Sequence, residues 1–303
     1  MLNLDNIIDF PPEKVKALQK IIQERRDALK IVNLYINEIP REDIFNILDH
    51  YCTVVYFPLP EGESNDGFHI TMPVDYQVEY NDRGEEHFVF LNTAKPREKQ
   101  VFAAAHELGH IWVEEDSFWD DALEKVLPHS TANVDAVMNR FAAELLMPAE
   151  IFRSSADSLF ERFVSDDGLI SSINAFRTIA SLMDEFCVPA QAVICRFYET
   201  GMLKKEICQE LLTGPTNVEL PKAYPDYFKE LLSACVGEGG YANLLTSSPK
   251  WGMRDFPEVL DEMEQKGLFS EQTIKQLRET LRIPKIEGEG KTPIAPINIR
   301  ETE

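Results

Sequence analysis

The chain has 303 residues, 44% of them hydrophobic, which is enough to bury a full core and leaves room for two domains. Its 30 basic and 52 acidic residues leave a net charge of −22, which argues against direct nucleic-acid binding, because phosphate contacts need a concentrated basic surface. There is no basic leader followed by an apolar core and no stretch apolar enough to span a membrane, and the five cysteines are odd in number with no Cys-x-x-Cys pair, so a cytoplasmic protein with reduced thiols is expected.

From Pro11 to about Asn37 the apolar residues Val15, Leu18, Ile22, Leu29 and Leu34 recur with helical spacing, and a shorter helix is expected near Arg41 to His50. Between Tyr51 and Asn92 the pattern changes. Three runs, beginning at Cys52, His69 and His87, read as short strands separated by a Gly-rich loop and an Asn-Asp-Arg-Gly turn. His50, His69 and His87 have no ligand spacing to one another, so structural or surface roles are expected for them. Tyr76 and Tyr80 are candidate oxyanion donors that spacing does not separate.

A helix is expected to start near Pro96 and to run into Ala105-His106-Glu107-Leu108-Gly109-His110. Positions four apart share a helix face, so His106 and His110 can offer two imidazole nitrogens to one zinc ion while Glu107 stands beside it as a general base. Ala103, Ala104 and Gly109 permit close backbone packing, and Phe102 and Ile111 anchor the helix. The competing reading is an amphipathic core helix whose histidines bond backbone carbonyls. A catalytic zinc usually takes three protein ligands and a water, so a further ligand is expected downstream.

Its expected source is the helical segment Val134 to Pro148. This segment ends in Asn139-Arg-Phe-Ala-Ala-Glu-Leu-Leu-Met-Pro148, and together with the His-Glu-Leu-Gly-His run it resembles the ImmA/IrrE-type zinc metallo-endopeptidases. The resemblance implies an α+β zincin-like fold and zinc as cofactor, with Asp135 where the family carries a metal-binding glutamate. Aspartate is one methylene shorter, so its helix must sit about an ångström closer to the metal. His129 is the alternative third ligand, with Asp120, Asp121 and Glu144 behind it. Asn139, one turn after Asp135, could hydrogen-bond the non-ligating nitrogen of His106 or His110. Glu144, Phe141, Leu145, Leu146 and Met147 read as structural.

Ile173 to Phe186 and Ala190 to Tyr198 resemble two helices of a helix-turn-helix element, but the second carries one basic residue, Arg196, which suits packing or docking better than base reading. The region from Leu203 reads as helical with a turn around Gly237 to Gly240, and the tail is Pro/Gly-rich. The expected division is therefore a helical segment (residues 1–37), a zincin-like metalloprotease domain with a small sheet beside its active-site helix (38–150), a helix-turn-helix-like region (151–202), a helical C-terminal region (203–284) and a flexible tail (285–303). The resemblance implies a zinc endopeptidase acting on a phage- or mobile-element-type repressor, a basic DNA-binding protein, with neither nucleic acid nor membrane as direct partner. Two other readings stay open: a metal-stabilised adaptor that binds a regulator without cutting it, and a transcription factor acting through residues 173–198.

Overall fold

A computed structural model of the chain describes residues 9–32, 37–58, 66–73, 85–114, 118, 130–163, 171–213, 224–241, 244–245 and seven residues between 264 and 278. Met1–Trp251 forms one compact unit and Gly252–Glu303 a second. In the second, the Arg278 guanidinium lies 3.5 Å from the Glu264 carboxylate. His129, Asp120, Asp121, Tyr76, Tyr80, Leu34 and the tail 285–303 lie outside the described residues.

The first unit is an α+β fold. Helix α1 (Pro12–Ile31) buries Leu18, Ile21, Ile22 and Leu29, the spacing of a single apolar stripe. It ends at Ile31, short of the Asn37 expected from the sequence; Ile31 and Val32 are exposed, so the apolar pattern outruns the buried face. Helix α2 (Asp43–Tyr51) turns Ile44, Phe45, Ile47 and Leu48 into the core. Three strands follow: β1 (Thr53–Phe57), β2 (Gly67–Pro73) and β3 (Glu85–Asn92). The sheet order is β1-β3-β2, with β1 parallel and β2 antiparallel to β3. As the central strand, β3 buries every residue from Phe88 to Leu91, so what reads in sequence as a β-prone run is covered on both faces.

Helix α3 (Arg97–Glu114) packs on β2, β3 and α2 and crosses α4 (Thr131–Leu146), which is N-capped by the Ser130 hydroxyl accepting the Asn133 N–H. The cap sets the start of α4 at Thr131, three residues before the Val134 at which the apolar pattern begins. Pro148 closes α4 and its carbonyl accepts the first bond of α5 (Ala149–Phe163). Helix α1 belongs to the same core as α3 and α4: its Arg26 guanidinium donates to the Leu145 carbonyl at 3.2 Å, placing a cation at the C-terminus of α4.

Helices α6 (Ser172–Phe186) and α7 (Ala190–Glu199) meet at 99°. The turn between them passes through Cys187 at φ +53°, a left-handed position that costs a non-glycine residue about 1–2 kcal/mol. Helix α7 is buried at Ala190 and from Ala192 through Phe197, so it is a core helix. Helices α8 (Lys205–Thr213) and α9 (Tyr224–Gly239) complete the described elements, nine helices and three strands among the described residues. The expected Gly-rich turn begins later than the sequence suggests, at Gly240 with φ +73°. No single described helix is long and apolar enough to cross a membrane.

Candidate metal centre

The site is built where α3 crosses α4. The first helix is fixed by its neighbours: Val101, Ala104, Ala105, Leu108, Ile111 and Trp112 are fully buried or nearly so, and Trp112 packs edge-on against both Tyr51 and Phe141. These contacts leave the other face, carrying His106 and His110, half-buried.

Gly109 sits at the closest approach of the two helices. A Cβ there would lie 2.9 Å from Phe141 Cδ1 and 3.0 Å from Met138 Sδ, both on α4. Helix propensity favours alanine over glycine by about 1 kcal/mol, but overpacking costs about 1–3 kcal/mol, and the Phe141 ring is pinned against Trp112. We therefore expect Gly109→Ala to push α4 away from α3 and to weaken zinc retention about tenfold with little net change in stability. Added Phe141→Leu should recover most of the loss, as measured by zinc competition against a chelator.

That close crossing brings Asp135 to the two histidines. The ligand atoms of His106, His110 and Asp135 all lie within 4.8 Å of one another, with His106 Nε2 3.9 Å from Asp135 Oδ1. Donors about 2.0–2.1 Å from a tetrahedral zinc lie about 3.3 Å apart, so the His106–Asp135 pair must close by about half an ångström, and the widest pair by up to about 1.5 Å, for the three residues to hold the ion. Asn139, one turn beyond Asp135, accepts a 2.9 Å hydrogen bond at Oδ1 from His106 Nδ1. The bond fixes the tautomer and leaves Nε2 for a metal. Burial, reinforced by His110, holds the His106 imidazole neutral by lowering its pKa to about 3, the state a metal ligand requires.

Glu107 is not one of the three residues whose ligand atoms gather, and it is almost wholly buried. Burial pushes its carboxyl up to about 7, with the charge of Asp135 adding and that of His110 opposing. A carboxyl poised there both accepts and releases a proton near neutrality. Asp135 is about half exposed, so the centre opens to solvent on the α4 side.

Glu144 is committed elsewhere. Its two oxygens accept Arg196 Nη1 at 2.7 Å and Nη2 at 2.9 Å, and Arg140 Nε at 3.0 Å, which makes it a structural anion rather than a ligand. Arg196 is fully buried in this pairing and serves packing, not docking. Two histidines that spacing left unassigned also come to the site: His69 Nε2 lies 2.9 Å from His87 Nδ1, and the His69 ring stacks on His110 at 5.7 Å between centroids. No sequence signal links residues of two strands to a helix, so periodicity could not find them.

A peptidase family model, described as the IrrE N-terminal-like domain, matches residues 50–198. The matched span runs from the end of α2 to the end of α7 and contains His106, Glu107, His110, Asp135 and Asn139. No curated protein matches the chain.

Proposed function

Residues 50–198 belong to the IrrE N-terminal-like peptidase family, the ImmA/IrrE family, and on that premise we propose that this protein is a zinc-dependent endopeptidase that cleaves a DNA-binding transcriptional repressor. The observation that carries the reading is the gathering of the His106, His110 and Asp135 ligand atoms within 4.8 Å of one another, beside buried Glu107. A zinc ion held there supplies Lewis acidity toward water and toward an amide carbonyl. His106 and His110 would offer ring nitrogens and Asp135 a carboxylate oxygen, and Asn139 keeps the His106 hydrogen on Nδ1. Glu107 takes the proton from the attacking water and passes it to the leaving amine. Its burial keeps the proton from bulk solvent between the two transfers.

The repressor as substrate rests on the family resemblance and on charge, since a chain of net charge −22 attracts a basic DNA-binding protein. Co-expression with a helix-turn-helix repressor encoded beside the gene, followed by a time course of fragments, tests it. A chain that holds zinc and binds the repressor but leaves it whole is the adaptor instead.

The metal assignment has its own test. The purified chain should carry one zinc, and His106→Ala or His110→Ala should lose most of it, because two remaining ligands make an incomplete shell. Asp135→Ala should also weaken retention, whereas His129→Ala should not. Elemental analysis decides, and the reverse ranking would move the third ligand to His129.

A further inference from the structure

The reaction proposed above develops negative charge on the amide oxygen, and enzymes of this kind place a hydrogen-bond donor at that atom, worth about 10²–10³ in rate. Tyr76 and Tyr80 lie outside the described residues, and among the described ones none assigned so far supplies it: three offer ligand atoms, Glu107 handles protons, and Asn139 is bonded to His106. We propose that His69, oriented by His87, is the donor that binds the oxygen of the amide being cut. The proposal rests on the peptidase reading.

The placement is built by three features of the sheet. In the β2–β3 register His69 lies opposite Val89 and His87 opposite Thr71, so the two histidines are diagonal neighbours on one face of the sheet. Their 2.9 Å contact ties one ring to the other. Gly67, two residues before His69 and on the same face, lets β2 lie tightly against β3: a Cβ at Gly67 would meet Phe90 O at 3.0 Å and Leu91 Cδ2 at 3.1 Å, with Ala103 of α3 in ordinary contact at 3.5 Å. On that face the His69 ring lies against His110, 28° from parallel.

The ring geometry separates a donor from a further ligand. His69 is not among the residues whose ligand atoms fall within 4.8 Å of one another, so it stands beside the metal centre and outside the ligand set. When His87 Nδ1–H donates to His69 Nε2, the neutral His69 ring carries its hydrogen on Nδ1 and is itself a donor. The His69 ring lies against His110, one of the residues offering a ligand atom, and on that contact we place its donor beside the metal. A ring needed only as packing against His110 would do as well as phenylalanine, and that substitution is the test.

The experiment uses the full chain loaded with cobalt(II), whose visible absorption reports ligand exchange. Two small probes are titrated: acetohydroxamate, which brings oxygens that accept hydrogen bonds, and ethanethiol, which brings none. His69→Phe should keep one cobalt per chain and bind ethanethiol within twofold of the unmodified protein, while acetohydroxamate weakens about tenfold or more, the worth of one charge-assisted hydrogen bond. His69→Gln, which retains an N–H, should recover part of the loss, and His87→Phe should give a smaller loss than His69→Phe. The proposal is overturned if His69→Phe binds acetohydroxamate like the unmodified protein, if both probes weaken together, or if neither His69 variant folds, since each makes His69 a packing residue. Failure of the unmodified chain to take up cobalt would instead overturn the peptidase reading beneath it.

Discussion

Glu107→Gln should leave zinc content and the thermal melt unchanged and lower repressor cleavage by about 10²-fold or more. The substitution preserves volume and hydrogen-bonding shape in a buried position and removes only the proton acceptor. Because burial, with help from Asp135, raises the carboxyl to about 7, neutralising Glu107 costs the fold little; a glutamine there replaces a group already near its neutral state. Binding should outlast cutting, so a pull-down of intact repressor with the variant accompanies the fragment time course. A variant that cuts at the full rate would remove Glu107 from the mechanism. A variant that loses zinc would place it among the ligands.

The largest stability effect is expected at Arg196, which is outside the candidate metal centre. This residue is fully buried, bonds both oxygens of Glu144, donates through Nε to the Met147 carbonyl at 2.8 Å and reaches Glu199 at 3.1 Å. Arg140 approaches the same two carboxylates, at 2.8 Å from Glu144 and 3.5 Å from Glu199. Removing Arg196 leaves two buried carboxylates to share one counter-ion, Arg140, and costs up to about 3–5 kcal/mol. Arg196→Met should therefore lower the melting temperature by on the order of 10 °C. Zinc binding to the folded fraction should persist, because no ligand is touched.

Acid should act on the same network. Burial alone would raise the Glu144 carboxyl, but the hydrogen bonds and charge of Arg196, with Arg140 and Gln19, outweigh it and hold the group at about 2, below its ordinary 4.5. A carboxyl depressed in the folded state stabilises fully above the unfolded value and loses that stabilisation as pH falls through the folded one. The chain should weaken progressively between about pH 4.5 and 2. In Arg196→Met the Glu144 pKa rises, so melts recorded across that range should show a shallower dependence on pH. An unchanged slope would mean that other carboxylates carry the acid sensitivity.

Much of the centre was legible without coordinates because its first part is local. A helix places positions four apart on one face, so spacing alone marks His106 and His110 as candidate ligands with Glu107 as the candidate base beside them. The helix bearing them was equally readable from Pro96 and the apolar run after it, and so were the three short strands. Element ends were less so: α1 stops at Ile31 because its stripe leaves the core there, although apolar residues continue in the sequence. The third ligand stayed open among Asp135, His129 and three other acids, since a loop and a helix start lie equally near in sequence.

The sequence by itself determined the chemistry of the α3 face and the kind of helix that would supply a further ligand, because both follow from 3.6 residues per turn. Only the tertiary structure brought Asp135 beside His106, through the close crossing that Gly109 permits. It also spent Glu144 on Arg196, 52 positions away, and set His69 and His87 against His110. These distances depend on which helix and strand faces pack together. Packing is settled by the burial of whole apolar surfaces, so no periodicity along one element carries it.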